Sequence, residues 1–294
     1  MKDKAGLRGR IALFITTIIW GTSFVILKTT LDSVGTLWVL AIRFSVSAAI
    51  LGLVAGKKLC KMGKRLCKGS ILMGLCLAAA YIFQTYGLFF TSPGKNSFLT
   101  AVYCVLVPFM AWGVYKRRPD AANILAAFLC ITGIGFVSLG ESLSNINIGD
   151  VLTLICGIFY AMQIIIMEQY VGQGDALSIS TVQFAAAAAV CWAGALLFEA
   201  APSGVPSSAW FSIAYLSVVC TALCFFLQAW GMKVTPSSTA AVIMSLESVF
   251  GTLISVLFYH ELVTRRLLFG FALIFAAVLI SETKPKFLRG RQKA

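Results

Sequence analysis

Two charged residues lie deep within apolar stretches of the sequence, where charge is rare. Arg43 falls near the middle of residues 35–56, and Glu247 falls near the middle of residues 236–258. A charged side chain at the centre of a membrane-spanning helix costs about 2.5–3.5 kcal/mol on insertion scales, so it requires a partner or a water-filled cavity. Glu247 could bind a proton or an amine there, and Arg43 could bind a carboxylate. We predict that Glu247 faces a central cavity and interacts with Arg43 directly or through water. The alternatives are a static ion pair that orders the helices and an arginine that caps helix ends near an interface.

Aromatic and polar residues recur one helical turn apart in three apolar stretches. Residues three positions apart share a helix face, so each pair presents a ring and a hydrogen-bonding group to the same neighbour. The rings lie too deep in their stretches to belong to the aromatic belts at the membrane surface. We predict that these pairs, with one further glutamine, line the same cavity; buried packing between helices is the alternative. The set comprises Trp20 with Ser23, Tyr81 with Gln84, Tyr160 with Gln163, and Gln228.

The sequence contains no pattern typical of a catalytic or metal centre. His260-Glu261 could begin a zinc-protease motif, but Thr264 stands where that motif needs its second histidine. Cys220 and Cys224 share a helix face without a further ligand, so they are interpreted as small packing residues. The glycine-rich phosphate loop that ends in Gly-Lys-Ser/Thr is absent as well. We therefore predict no metal, no cofactor and no enzymatic activity.

The composition explains where these residues must reside. The chain has 294 residues, of which 59% are apolar and only 12% are charged, and the mean hydropathy is +0.90. Soluble domains carry about 25% charged residues, so a soluble enzyme or a nucleic-acid-binding module is excluded. A membrane-spanning helix needs about 20 apolar residues, and ten such stretches can be read. They are residues 10–29, 35–56, 69–90, 95–115, 121–139, 149–168, 178–199, 208–230, 236–258 and 265–283.

The charges indicate how the chain is oriented in the membrane. Most of the 24 lysines and arginines lie in the two tails and in the loops that share their side of the membrane, above all residues 57–68 and 116–118. Cytoplasmic loops are enriched in such cations, so both termini are predicted to be cytoplasmic, in a multi-pass protein of the cell membrane. The net charge of +13 then reflects topology, and no nucleic-acid partner is expected. Lys28, near the end of the first stretch, is interpreted as a solvated helix-end charge.

The two halves of the chain resemble each other. Gln84-Thr-Tyr-Gly, followed by Thr91, recurs as Gln228-Ala-Trp-Gly, followed by Thr235, and Arg43-Phe44 aligns with Gln183-Phe184. The predicted repeats are residues 1–144 and 145–294, with five helices each. Because five is odd, the second copy enters the membrane from the opposite side. Inverted repeats of this kind are typical of secondary transporters, which open one site alternately to each side.

Several motifs also resemble the EamA branch of the drug/metabolite transporter superfamily. They are Ile-Trp-Gly-Thr-Ser-Phe at residues 19–24 with Lys28, Arg43-Phe44, Leu246-Glu247, Glu261, and the glycine-led apolar run at residues 270–279. The resemblance covers both halves. It implies a ten-helix fold, cytoplasmic termini, and export or exchange of amino acids or other small metabolites.

We accordingly expect an all-α membrane protein that acts as a secondary transporter. It would export small organic solutes such as amino acids by alternating access, driven by a proton gradient or by the gradient of the solute itself. A membrane-embedded enzyme acting on a lipid or isoprenoid and a non-transporting sensor are the alternatives. The oligomeric state does not follow from the sequence, since lipid-facing and partner-facing apolar surfaces look alike.

Overall fold

The fold is a bundle of helices. The structure, a computed structural model, describes residues 2–116, 118–138, 147–170, 174–235 and 237–283. No strand occurs within these ranges. The helices are α1 (Lys2–Thr30), α2 (Thr36–Ala55), α3 (Lys57–Cys60), α4 (Lys64–Phe90), α5 (Pro93–Thr100), α6 (Tyr103–Tyr115), α7 (Ala121–Ser138), α8 (Ile148–Tyr170), α9 (Ala176–Phe198), α10 (Ser207–Ser217), α11 (Cys224–Val234), α12 (Ser237–Phe258) and α13 (Arg265–Thr283).

The helical segments are long and apolar in the manner of a multi-pass membrane protein. Among the described residues, seven segments have the length and composition needed to cross a membrane, and residues 121–137 and 246–258 form shorter apolar helices. A helix lies over each of the ten predicted stretches. The backbone groups of such helices satisfy one another, which is required where no water is available.

Two of the predicted stretches are interrupted helices. The fourth is divided into α5 and α6, and the turn between them is held by short bonds such as Val102 N–H to Leu99 O and Cys104 N–H to Ala101 O. The eighth contains a π-helical turn, Val218–Leu223, between α10 and α11. Thr221 donates its hydroxyl proton to Leu216 O in this wider turn, at 2.8 Å. Hydropathy alone does not distinguish these segments from continuous helices, since the interruptions do not change it.

Small residues allow the helices to approach closely. A Cβ atom on Gly87 of α4 would lie 2.9 Å from Gly149 O of α8, and one on Gly133 of α7 would lie 2.9 Å from Gly270 O of α13. Without hydrophobic attraction between helices in lipid, such close backbone packing is a main source of association. The pairs α4–α8, α2–α9, α7–α13 and α1–α12 are the most extensive in the bundle.

The bundle has two ends, which we name by the course of α1. The near end is where α1 begins, and it also contains the end of α2, the short α3 and the start of α9. Lys58 of α3 forms an ion pair with Asp175, which directly precedes α9. The far end is where α1 finishes. It contains the ends of α4 and α9 and the starts of α2, α5 and α8. Thr91 joins Lys28 to Asp150 there, and Glu199 binds the start of α2.

Candidate functional site

Arg43 is the most deeply buried cation in the part of the chain that the structure describes. Its side chain is 2% exposed, and its Nε donates a hydrogen bond to Thr221 Oγ1 at 2.6 Å. The guanidinium carbon lies 4.9 Å from the centre of the Tyr81 ring, within the range of a cation–π interaction. One helical turn further on, Ser47 donates to Ser217 O at 2.9 Å. These contacts hold Arg43, a residue of α2, against α4 and the segment that contains the π turn.

The π turn supplies partners for two of the predicted site residues. Thr221 accepts from Arg43, and the carbonyl of Cys220 accepts from the indole N–H of Trp20 at 2.8 Å. A π turn frees backbone carbonyls from the regular helical ladder, and such turns are frequent at functional sites. Sequence reasoning missed Thr221, although a hydroxyl residue in an apolar span is a signal that could have pointed to it.

Glu247 of α12 faces the same region. Its carboxyl interacts electrostatically with Arg43, Tyr81 and Tyr160. Among the described residues the ion pairs shorter than 4 Å are Lys58–Asp175 and Lys95–Asp150, so Arg43 and Glu247 do not form a direct pair. The static ion pair considered from the sequence is therefore not what the structure contains. The two charges interact electrostatically without a contact shorter than 4 Å.

Tyr160 and Gln84 connect this charged region to α5. Tyr160 donates its hydroxyl proton to Gln84 Oε1 at 3.0 Å, and Gln84 Nε2 donates to Thr100 Oγ1 at 3.0 Å. The Tyr81 and Tyr160 rings meet edge to face, with centroids 5.6 Å apart. The structure thus brings Trp20, Arg43, Tyr81, Gln84, Tyr160 and Glu247 into one connected set.

Gln163 occupies a separate polar contact. Its Nε2 donates to Gln183 Oε1 at 3.2 Å, and both residues are almost fully buried. Gln183 Nε2 has no partner in the structure. Gln183 was not among the predicted site residues, although it aligns with Arg43 in the comparison of the halves.

Ser23 and Gln228 form other contacts. Ser23 donates its hydroxyl proton to Trp20 O of its own helix at 2.6 Å. Gln228 Nε2 lies 3.6 Å from Met244 Sδ, between α11 and α12. Neither residue hydrogen-bonds to Arg43 or Glu247 within the described residues, so both are peripheral to the connected set.

Lys28 is not the solvated end charge that the sequence suggested. Its Nζ donates to the carbonyls of Leu88, Phe89 and Thr91 at 2.7, 2.8 and 3.1 Å. These carbonyls lie at the end of α4, where unpaired backbone oxygens and the helix dipole attract a cation. The interpretation failed because the partner lies in another helix, more than 50 residues away.

Comparison with known proteins identifies the family. The EamA-like transporter family matches residues 7–139 and 147–283. The chain belongs to this family. An uncharacterized transporter of Archaeoglobus fulgidus is 30% identical over 279 residues, covering 92% of this chain and 84% of the relative. The uncharacterized transporter YoaV of Bacillus subtilis is 20% identical, covering 92% and 95%.

A solved structure supports the fold independently. The crystal structure of another protein superposes on this chain with a TM-score of 0.69 and 16% sequence identity. The superposition covers 99% of this chain and 100% of the other. The family match and the relative at 30% identity confirm the resemblance read from the sequence motifs. The EamA-family chain described here is a multi-pass membrane transporter.

Proposed function

We propose that this transporter is a secondary carrier that exports small organic solutes, such as amino acids, by alternating access. The carrying observation is the buried Arg43, which is held by Thr221 and Tyr81 and faces Glu247 without a direct ion pair. A zwitterionic solute has a carboxylate and an ammonium group that complement these two charges. Tyr160, Gln84 and Trp20 supply the rings and hydrogen-bonding groups that would orient it.

We further propose ten membrane-spanning helices in two inverted repeats, residues 1–144 and 145–294, with both termini in the cytoplasm of a cell-membrane protein. In this topology the near end of the bundle faces the cytoplasm and the far end faces outward. The cations of residues 57–68 support the orientation, since cytoplasmic loops are enriched in lysine and arginine.

Glu247 is proposed as the group that couples transport to protons. A carboxyl that exchanges a proton during the cycle would link solute movement to the pH gradient, and a carboxylate that stays charged would only bind the solute ammonium. Replacement by glutamine distinguishes these roles, because glutamine keeps the shape and cannot titrate.

The test is counterflow in liposomes that contain the purified protein and labelled amino acids, with and without a pH gradient. We expect solute-specific exchange in the wild type and loss of the pH-gradient effect in Glu247→Gln. Arg43→Lys should weaken binding of carboxylate-bearing solutes by about tenfold or more, because lysine lacks the planar fork. The matched control is Asp32→Asn, at an exposed acid, which should behave as wild type. Unchanged pH dependence in Glu247→Gln would contradict the coupling role, and product formation without translocation would contradict transport.

A further inference from the structure

We infer that three carboxylates from the second half of the chain act as latches that hold the far end of the bundle closed. The latches are Asp150, Glu199 and Glu261, each of which binds a residue of the first half. Their release would be the step that opens the site toward the far side. The inference rests on the proposed function, which assigns the far end to the outside of the cell.

The Glu199 latch joins the end of α9 to the start of α2. Its two carboxylate oxygens accept from the backbone N–H of Leu37 at 3.1 and 3.0 Å, and one accepts from that of Trp38 at 3.3 Å. Tyr86 of α4 donates its hydroxyl proton to the same carboxylate at 3.0 Å. Residue 35 is a glycine, and a Cβ there would overlap the carboxylate. An unpaired helix N-terminus favours an anion, so α2 is held by an acid from the other half.

The Glu261 latch repeats this arrangement at the start of α5. The carboxylate accepts from the backbone N–H of Gly94 at 2.9 Å and from the hydroxyls of Ser92 and Ser255. A Cβ atom on Gly94 would lie 2.6 Å from Glu261 Oε2. At two helix starts of the first half, a glycine directly before the helix (Gly35) or in its first turn (Gly94) therefore admits a carboxylate from the second half.

The Asp150 latch is a buried ion pair. Asp150 is fully buried, accepts from Lys95 Nζ at 2.8 Å, and accepts from Thr91 Oγ1 at 2.9 Å. Removing one partner of a buried pair leaves an uncompensated charge, which is strongly unfavourable. Opening of the far end must therefore separate or rehydrate this pair together with the two helix-start contacts.

At the near end, the ion pair among the described residues is exposed to solvent. Lys58 and Asp175 lie 3.3 Å apart, and 67% of the Lys58 side chain is exposed. Exposed ion pairs of this kind contribute little, because water screens them and both side chains lose freedom. The far-end latches predict a carrier that rests closed at the far end. An exporter that loads its solute from the cytoplasm needs that preference.

The experiment uses native cysteines as reporters of access. A membrane-impermeant maleimide is added to the far side of sealed vesicles, and modified cysteines are identified by mass spectrometry. Cys156 reports on the site, because it is buried and its sulfur lies 3.8 Å from Thr100 Oγ1. Glu199→Gln and Glu261→Gln should each raise its far-side reaction rate by about tenfold or more, since each weakens charge-assisted bonds. Asp175→Asn, the matched control at a helix start of the near end, should leave this rate unchanged.

Equal far-side rates at Cys156 in the wild type and in both glutamine variants would overturn the latch. Cys130 is packed in the core between α7 and α13, so it must stay unreactive in a correctly folded variant. If Cys130 reacts, Tyr86→Phe takes the place of Glu199→Gln, because it removes only one donor; a wild-type rate in that variant also counts against the latch. The assay needs no solute: faster labelling without transport would refute the proposed function alone, and normal transport with unchanged labelling would refute the latch alone.

Discussion

Replacing Thr221 by valine should destabilise the protein by about 1.5–3 kcal/mol. Valine keeps the shape of threonine but removes the hydroxyl that accepts from Arg43 Nε at 2.6 Å. Arg43 is 2% exposed, so water cannot readily replace the lost partner. Net hydrogen bonds to charged groups are worth about 1.5–3 kcal/mol, and leaving a buried donor unpaired carries a penalty of the same order. The carbonyl of Leu216 also loses a donor.

The matched control is Thr132→Val. The Thr132 hydroxyl donates only to Phe128 O of its own helix, at an exposed position, so we expect a change within about 0.5 kcal/mol. The assay is equilibrium unfolding in mixed micelles, in which a dodecyl sulfate titration gives the free energy of unfolding for each variant. The expected gap corresponds to about a ten- to hundredfold change in the unfolding equilibrium constant. Equal destabilisation by the two substitutions would refute the argument that Thr221 holds a buried charge.

Three further predictions test other contacts. Trp20→Phe should lower the free energy of unfolding by about 1 kcal/mol, because it removes the indole bond to Cys220 O but keeps an aromatic ring; the same titration measures it. Gly94→Ala should raise far-side labelling of Cys156, because the added Cβ displaces the Glu261 carboxylate, whereas Gly113→Ala, in open space, should not. Burial opposes the charge of Asp175, but the N–H of Ser178 and the Lys58 ammonium outweigh it, so the pKa of Asp175 is lowered from 3.8. Its stabilising contribution should therefore be present above that value and be lost as the pH falls through the lowered pKa, so thermal melts of wild type and Asp175→Asn should converge in acid.

The sequence was informative about the site wherever the cost of burial made a residue conspicuous. Arg43 and Glu247 could be selected because charges are rare in apolar stretches, and Tyr81, Gln84 and Tyr160 because a ring and an amide or hydroxyl share a helix face. All five lie in one connected set. Their partners depend on which helices are neighbours, and one sequence does not contain that information.

The far-end contacts illustrate what sequence reasoning could not provide. The sequence analysis did not select Glu199 or Asp150, and it interpreted Lys28 as a solvated helix-end charge. Each binds residues of a distant helix. A carboxylate and a helix start with a nearby glycine can be recognised as partners only after the two segments are known to be neighbours. The resemblance to the family motif drew attention to Glu261 but did not indicate its contact with Gly94.

The π turn gives a physical reason why the two proposed repeats do not form equivalent sites. In the comparison of the halves, α4 is the counterpart of the segment that runs from α10 through the π turn to α11. The first is a continuous helix of 27 residues, whereas the second comprises 11, six and 11 residues. The π turn carries Thr221, which bonds Arg43, whereas in α4 the counterpart of the turn is regular helix that begins at Gly74 and packs against the backbone of Gln183. Arg43 therefore packs against the segment with the π turn, which supplies the Thr221 hydroxyl. Its uncharged counterpart Gln183 packs against α4, which has no π turn.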